Sequence, residues 1–175
     1  YFVAPYEGNV PAFGFDLASH PVRLKFLHES RDTGKSIATD KIYLVQEQHQ
    51  NVGVLVFSPF YGVGDVPKTL AERREKLKGF ILGVYRVEDM INKMIISRLK
   101  EGMSLTIYQG DDTDAKNKLF GGLIENPPLQ VRQQIEFFGR LWTILWQGSF
   151  DFNKDLKDNY AVWASAGVLV LFIFI

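Results

Sequence analysis

Side chains that could carry out catalysis are few in this chain and irregularly spaced. The three histidines, His20, His28 and His49, lack the spacings of metal sites, since neither HxH nor HExxH occurs. The chain has no cysteine, which removes thiol nucleophiles, thiolate metal ligands and disulfides together. Any chemistry would therefore depend on oxygen and nitrogen groups, and the sequence predicts no metal and no cofactor.

Two carboxylates and one glycine-containing loop are the remaining candidates for chemistry. Asp16 and Glu47 could act as the paired carboxylates of a hydrolase, and spacing alone leaves that alternative open. Residues 60–65 (FYGVGD) loosely resemble a phosphate-binding loop, but neither GxGxxG nor GK[ST] occurs there. We interpret this loop as a connection between strands, and we expect the chain not to be an enzyme.

The charge balance argues against a nucleic-acid partner. Twenty Lys and Arg residues are offset by twenty Asp and Glu residues, so the formal net charge is zero. A neutral chain has no general field that would gather phosphate backbones. Its 175 residues suffice for one ordinary domain or two small ones.

Hydrophobic periodicity predicts two longer helices. Ser19 is expected to cap the first, with Pro21 in the first turn and Gly34 ending it in a left-handed conformation. The second is predicted over residues 87–101, where apolar side chains form one stripe that ends at Gly102. A short charged helix or turn is predicted between them, over residues 69–78.

Short runs of mainly apolar residues predict strands between and after these helices. The predicted strands are residues 39–45, 52–57, 79–85, 103–108, 130–138 and 141–146. The last two form a hairpin across Gly139 and Arg140, with the period of two that is typical of a half-buried antiparallel pair. The pattern therefore predicts two small antiparallel sheets divided by the second helix.

The end of the chain has a different character. Residues 160–175 carry no charge, and the charged stretch 151–158 (DFNKDLKD) precedes them. Sixteen residues make about 24 Å of helix, whereas a bilayer core needs about 20 residues. We expect a truncated transmembrane helix with Tyr160 and Trp163 at the interface. Residues 1–15 show no signal peptide, so both ends are expected to be cut from a longer chain.

Five segments in the first half of the chain carry a resemblance to a known family. They are residues 4–16 (APYEGNVPAFGFD), 32–34 (DTG), 42–48 (IYLVQEQ), 54–61 (VLVFSPFY) and 72–85 (ERREKLKGFILGVY). In order and spacing they resemble the CHASE domain. That family is the extracytoplasmic sensory module of membrane-bound histidine kinases, nucleotide cyclases and cyclic-dinucleotide enzymes, and of the plant cytokinin receptors.

The resemblance implies an α+β fold of tandem PAS-like antiparallel sheets with flanking helices, followed by a transmembrane helix. Residues 1–87 would form the membrane-distal ligand-binding module, without its N-terminal part. Residues 88–152 would form the connecting helix and the membrane-proximal module, and residues 159–175 the truncated membrane helix. Residues 1–158 would lie in the periplasm or outside the cell, and a stalk helix upstream of this sequence would form a homodimer.

The resemblance also implies a site for a small organic ligand, cytokinin-like or otherwise. In the plant receptors an aspartate after the first conserved strand holds the adenine of the hormone, and Asp16 occupies the corresponding place. Glu47 stands where the receptors have a small polar contact. A helix N-cap is the alternative role for Asp16, since it precedes the predicted cap Ser19 by three residues.

The rest of the predicted site comes mainly from strand periodicity. Phe57, Pro59 and Tyr61 would line one face, and Gly83 would leave space on the neighbouring strand where a ligand or a side chain approaches closely. Tyr43 completes the predicted set. The alternative is that the aromatic side chains only fill the core, and that the chain is a dimerisation or partner-binding module without a small-molecule ligand.

Overall fold

The computed structural model describes residues 16–43 and 52–152, together with Ala4 and Gly14. Its helices are α1 (Pro21–Thr33), α2 (Leu70–Lys76) and α3 (Val87–Met94). Its strands are β1 (Ile37–Ala38), β2 (Ile42–Tyr43), β3 (Val52–Phe60), β4 (Gly79–Arg86), β5 (Met103–Gln109), β6 (Lys118–Phe120), β7 (Leu129–Phe137) and β8 (Arg140–Gly148). Single 3-10 turns occur at Leu17–Ser19, Ile96–Arg98 and Ala115–Asn117.

The strands form two antiparallel sheets, which confirms the predicted α+β class. In the first sheet β3 is central, with β4 on one side and the short strands β1 and β2 pairing with different parts of its other side. The second sheet has the order β6-β5-β8-β7. Helix α3 follows β4 directly and leads to the second sheet, as the hydrophobic pattern predicts.

The two faces of β3 contribute to two different cores. Leu55 and Phe57 pack against Phe26 and Leu27 of α1. Val54, on the opposite face, belongs to a second cluster that α3 shares with the second sheet. The members of this second cluster are Val54, Val87, Ile91, Leu105, Ile107, Leu119, Trp142 and Ile144. Strand β3 is buried on both sides because α1 covers one face and the second sheet covers the other.

Local backbone chemistry sets the helix ends. Gly34 ends α1 in the predicted left-handed conformation, at φ 73°, and its N–H donates to the Ser30 carbonyl. The first helix begins later than predicted. Its N-cap is His20, because the chain first makes a 3-10 turn through Ser19. Thr69 and Glu72 form a capping box at the start of α2, whose charged sequence is otherwise exposed.

Further boundaries differ from the sequence prediction. The strand predicted over residues 39–45 is wrong in its bounds, because the described residues from 37 to 43 form two short strands, β1 and β2. Helix α3 ends at Met94, because Ile95 leaves helical geometry at φ −123° and a 3-10 turn follows. The β7–β8 turn is formed by Phe138 and Gly139, one residue earlier than predicted. Both have positive φ, 44° and 75°, as a tight two-residue hairpin requires. Strand β6, which was not predicted, is only three residues long.

The turn between β7 and β8 joins the two sheets. The Phe138 carbonyl accepts from the Ala38 N–H of β1 at 2.9 Å. Arg140 donates through Nε to the Ala38 carbonyl at 2.9 Å and forms an ion pair with Glu29 of α1. Next to this contact, the Gln109 side chain accepts from the Lys41 N–H at 2.7 Å. The start of the first sheet is therefore held by one end of the second.

Within residues 16–43 and 52–152 no helix is long and apolar enough to cross a membrane. The predicted transmembrane helix, residues 159–175, lies outside the described residues.

Candidate functional site

The α1 side of the first sheet is the face on which part of the predicted ligand site lies. Antiparallel pairing places Phe57 opposite Leu82 and Pro59 opposite Phe80, so these four side chains share one face. Val84 shares it too, because it pairs with Leu55. We call the β4 part of this surface, Phe80, Leu82 and Val84, the β4 face.

The β4 face is much less covered than the strand beside it. Phe57 is completely buried by α1, whereas Leu82 is 36% exposed and Val84 is 53% exposed. Phe80 is half-buried and packs edge-on against Phe57, with ring centroids 6.3 Å apart. Phe57 is therefore a core residue, and the surface available to a ligand on this side is the β4 face and Pro59.

Asp16 lies at the start of the segment that leads into α1. Its Oδ1 accepts from the Ala18 N–H at 2.8 Å and so caps the 3-10 turn Leu17–Ser19. The next residue, Leu17, packs against the same core as Phe57 and Phe80. The carboxylate is exposed. It has the capping role that the sequence left open, and any ligand contact would come in addition to it.

Tyr61 stabilises the C-terminal end of α1. Its hydroxyl donates to the Arg31 carbonyl at 2.6 Å, and burial raises the pKa of the phenol. Arg73 of α2 donates to the Asp32 carbonyl at 2.8 Å. The Asp32 carboxylate accepts from Arg74 and Arg31, which hold its pKa well below the usual range. The hydrogen bond to α1 therefore gives the Tyr61 side chain a structural role that requires no ligand.

Gly83 and Tyr43 belong to the opposite face of the first sheet, since they pair with Val56 and Val52. A Cβ on Gly83 would lie 2.9 Å from Cε2 of Tyr85. The glycine therefore makes room for the Tyr85 ring, which meets the Phe137 ring at 5.9 Å, in the contact between the sheets. Tyr43 is more than half exposed.

The seven predicted site residues therefore do not converge on one face. Asp16, Phe57 and Pro59 are on the α1 side, Tyr43 and Gly83 are on the other, and Tyr61 is at the end of α1. Glu47 lies outside the described residues. Their roles in ligand binding stay predictions. Sequence reasoning missed the β4 face, although the period of two in residues 79–85 would have placed Phe80, Leu82 and Val84 together.

The described residues offer little that resembles a catalytic or metal centre. Among residues 16–43 and 52–152, no group of three or more His, Asp and Glu side chains is arranged to hold a metal ion. A groove of about 400 Å³ lies on the second sheet, lined by residues such as Ile96, Leu99, Met103 and Phe120. It is shallow, open and far in sequence from the candidate face, so we do not assign the ligand to it.

Comparison with known proteins identifies the family of the chain. The profile of the CHASE domain matches residues 1–120, and the chain belongs to the CHASE domain family. The CHASE domain is a sensor domain of signalling proteins such as histidine kinases. The predicted family is thereby confirmed.

One curated relative is a large signalling protein. The chain is 26% identical over 116 residues to hybrid signal transduction histidine kinase A of Dictyostelium discoideum. The alignment covers 63% of this chain and 5% of that protein. The chain therefore spans about one-twentieth of the length of this relative, and the match concerns a single module.

Proposed function

We propose that the chain is the extracytoplasmic ligand-sensing part of a membrane-bound receptor, and that the β4 face with Asp16 binds a small organic molecule. This proposal rests on one observation, which is that the α1 side of the first sheet is buried on β3 but partly exposed on β4. On β3 that face is buried by α1, while on β4 the neighbouring apolar side chains Leu82 and Val84 remain open. An apolar surface beside a buried core suits a ligand that is flat and mostly apolar. We place the Asp16 carboxylate at its rim because the next residue, Leu17, packs against the same core.

Asp16 determines which polar groups such a ligand should carry. A carboxylate accepts hydrogen bonds, so the ligand should present N–H donors, as a cytokinin-like purine or another nitrogen heterocycle does. Because Oδ1 is used by the cap, Oδ2 is the acceptor left for the ligand. A charge-assisted hydrogen bond of this kind contributes about 1.5–3 kcal/mol.

The output of this sensor would lie outside the chain. We propose that the chain itself catalyses no reaction and passes a conformational change to a cytoplasmic kinase, cyclase or phosphodiesterase domain. The tandem PAS-like plan is supported by two antiparallel sheets that follow one another along the chain. The proposed boundary at residues 87 and 88 falls at the start of α3, immediately after β4 ends. Membrane attachment through residues 159–175 and a stalk homodimer complete the proposed receptor.

A partner-binding module without a small ligand is the second candidate. Its support is that Tyr61 and Gly83 have structural contacts of their own, and that Asp16 already caps a turn. The exposed β4 face would then contact protein.

Thermal-shift screening of the chain against cytokinins and other nitrogen heterocycles tests the proposal. A ligand at 100 times its Kd stabilises the folded state by about 2.7 kcal/mol, which is measurable. Val84→Ser should abolish the shift. Ile81→Ser is the matched control, because Ile81 is 65% exposed on the same strand but pairs with Ser58 and so lies on the other face.

Asp16→Asn separates the two roles of this carboxylate. Asparagine also caps helix starts, so the substitution keeps the cap and removes the charge. A ligand shift that is lost in Asp16→Asn but present in Ile81→Ser supports the ligand role. A shift that survives both Asp16→Asn and Val84→Ser would place the ligand elsewhere. A screen without any shift, together with capture of a protein that Val84→Ser releases, would favour the partner-binding module.

A further inference from the structure

The second sheet has two ends with different surroundings. Its strand register places Gln109, Phe137 and Arg140 at one end, and that end contacts the first sheet. Met103 and Gly148 pair with one another at the other end. We call this other end, with residues 94–103, 120–125 and 148–152, the remote end.

Three separate chain segments are held together at the remote end. The Ser149 N–H donates to the Gly102 carbonyl at 2.8 Å, and the Ser104 hydroxyl donates to the Gly122 carbonyl at 2.6 Å. Phe152 closes the arrangement, since a Cβ on Gly102 would lie 3.0 Å from its Cβ. The remote end is therefore a defined surface that belongs to the folded domain.

Apolar side chains are exposed on this surface. Phe150 is 71% exposed, Leu123 is 61% exposed, and Met94 and Ile96 are each exposed by more than a third. Ile96 also lines the shallow groove described above. These apolar side chains come from three segments and lie at one end of the domain. Such a group is typical of a surface that contacts a membrane or another molecule.

The charges around the remote end do not favour an ionic partner. The remote end has two exposed cations, Arg98 and Lys100, and three exposed anions, Glu101, Glu125 and Asp151. Because it carries no excess of positive charge, attraction of this surface to a membrane would come from its apolar side chains.

The length of the following chain indicates what covers the surface. Seven residues, 153–159, separate Phe152 from the uncharged stretch 160–175. Seven residues span at most about 24 Å even when fully extended. We infer that the remote end lies on the lipid bilayer and that Ile96, Leu123 and Phe150 enter its interfacial layer. This inference rests on the membrane anchor proposed above. Large apolar side chains of this kind bind at the boundary between headgroups and acyl chains.

The absence of native cysteine makes this inference directly testable. Ile96→Cys, Leu123→Cys and Phe150→Cys would each carry a single environment-sensitive fluorophore in the full chain, inserted into phosphatidylcholine vesicles that contain a spin-labelled lipid. Val63→Cys is the control, because Val63 is fully exposed in the loop before α2, outside the remote end. We expect quenching by the spin-labelled lipid to be several-fold stronger at the three test positions than at position 63.

Vesicle flotation separates failure of this inference from failure of the proposed anchor. A chain that floats with the vesicles but shows equal quenching at all four positions would be anchored without resting its remote end on the lipid. If Leu123→Cys then forms a disulfide between two chains, the surface is covered by a second copy instead. A chain that does not float would overturn the anchor and the membrane contact together.

Discussion

Arg140 and Glu29 form an ion pair between the first residue of β8 and the middle of α1, although 111 positions separate them in sequence. The Arg140 guanidinium also lies 4.9 Å from the centroid of the Phe26 ring and donates to the Ala38 carbonyl. Arg140, which belongs to the second sheet, thus contacts both α1 and β1 of the first sheet. We therefore expect α1 and β8 to be energetically coupled through Arg140.

A double-mutant cycle should detect this coupling. Arg140→Met is expected to destabilise the fold by about 1.5–3 kcal/mol, because it removes charge-assisted hydrogen bonds from a mostly buried position. Combined with Glu29→Gln, the effects should fall short of additivity by at least about 0.5 kcal/mol. Urea unfolding followed by tryptophan fluorescence measures all four proteins. Arg98→Met, at an exposed turn, is the control and should change stability little; fully additive effects of the pair would show that the ion pair carries no coupling.

The Asp32 carboxylate should give the fold a specific acid sensitivity. Arg74 and Arg31 depress its pKa in the folded state, while the unfolded chain has an ordinary value of about 3.9. Its contribution to stability is therefore present above about pH 4 and is lost as pH falls through the folded-state pKa. The native chain should unfold at a higher urea midpoint than Asp32→Asn. This difference in midpoint, the gap, should be constant from pH 7 to pH 5 and should become smaller towards pH 2. A gap that does not change with pH would mean that the ionised carboxylate is not stabilising.

Gly83 should be required for the contact between the sheets. An added Cβ would lie 2.9 Å from the Tyr85 ring, which would have to move from its contact with Phe137. Overpacking of this kind costs about 1–3 kcal/mol, so Gly83→Ala should lower the melting temperature by several degrees. Gly122→Ala is the matched control, because nothing lies within 4 Å of the Cβ it would add. If Tyr85→Leu does not restore stability to Gly83→Ala, crowding of the ring is not the cause.

Local chemistry made much of the fold predictable from the sequence. The apolar runs in residues 79–85 and 103–108 predict strands that β4 and β5 confirm. Gly34 marked the end of α1 because a left-handed residue is needed there. The turn at Phe138 was misplaced by one residue, since sequence rules reserve positive φ for glycine, asparagine and aspartate.

The candidate site was less predictable because it depends on contacts between distant segments. Alternation correctly put Phe57 and Pro59 on one face, but only the pairing with β4 shows which neighbours share it. Gly83 is predicted to leave room for a ligand or a side chain, and only the structure shows that the Tyr85 ring lies there. Nothing local in the sequence links Arg140 to Glu29, because an ion pair between two sheets is set by how the sheets dock.

A flexible insertion after the second sheet should separate ligand binding from signalling. Strand β8 ends at Gly148, and Phe152 packs on Gly102 and Gly148, so a shift of β8 reaches the chain just before the proposed membrane helix. A ligand biases that shift only by its different affinity for the two arrangements, typically 1–3 kcal/mol, or about 5- to 150-fold. A Gly/Ser stretch inserted between Phe152 and Asn159 of the full-length protein should leave the Kd nearly unchanged and remove ligand-dependent output. The same stretch inserted after Val63, in an exposed loop, should leave both intact. Ligand-dependent output that persists after the first insertion would show that the signal leaves the domain by another route, for which the upstream stalk is the candidate.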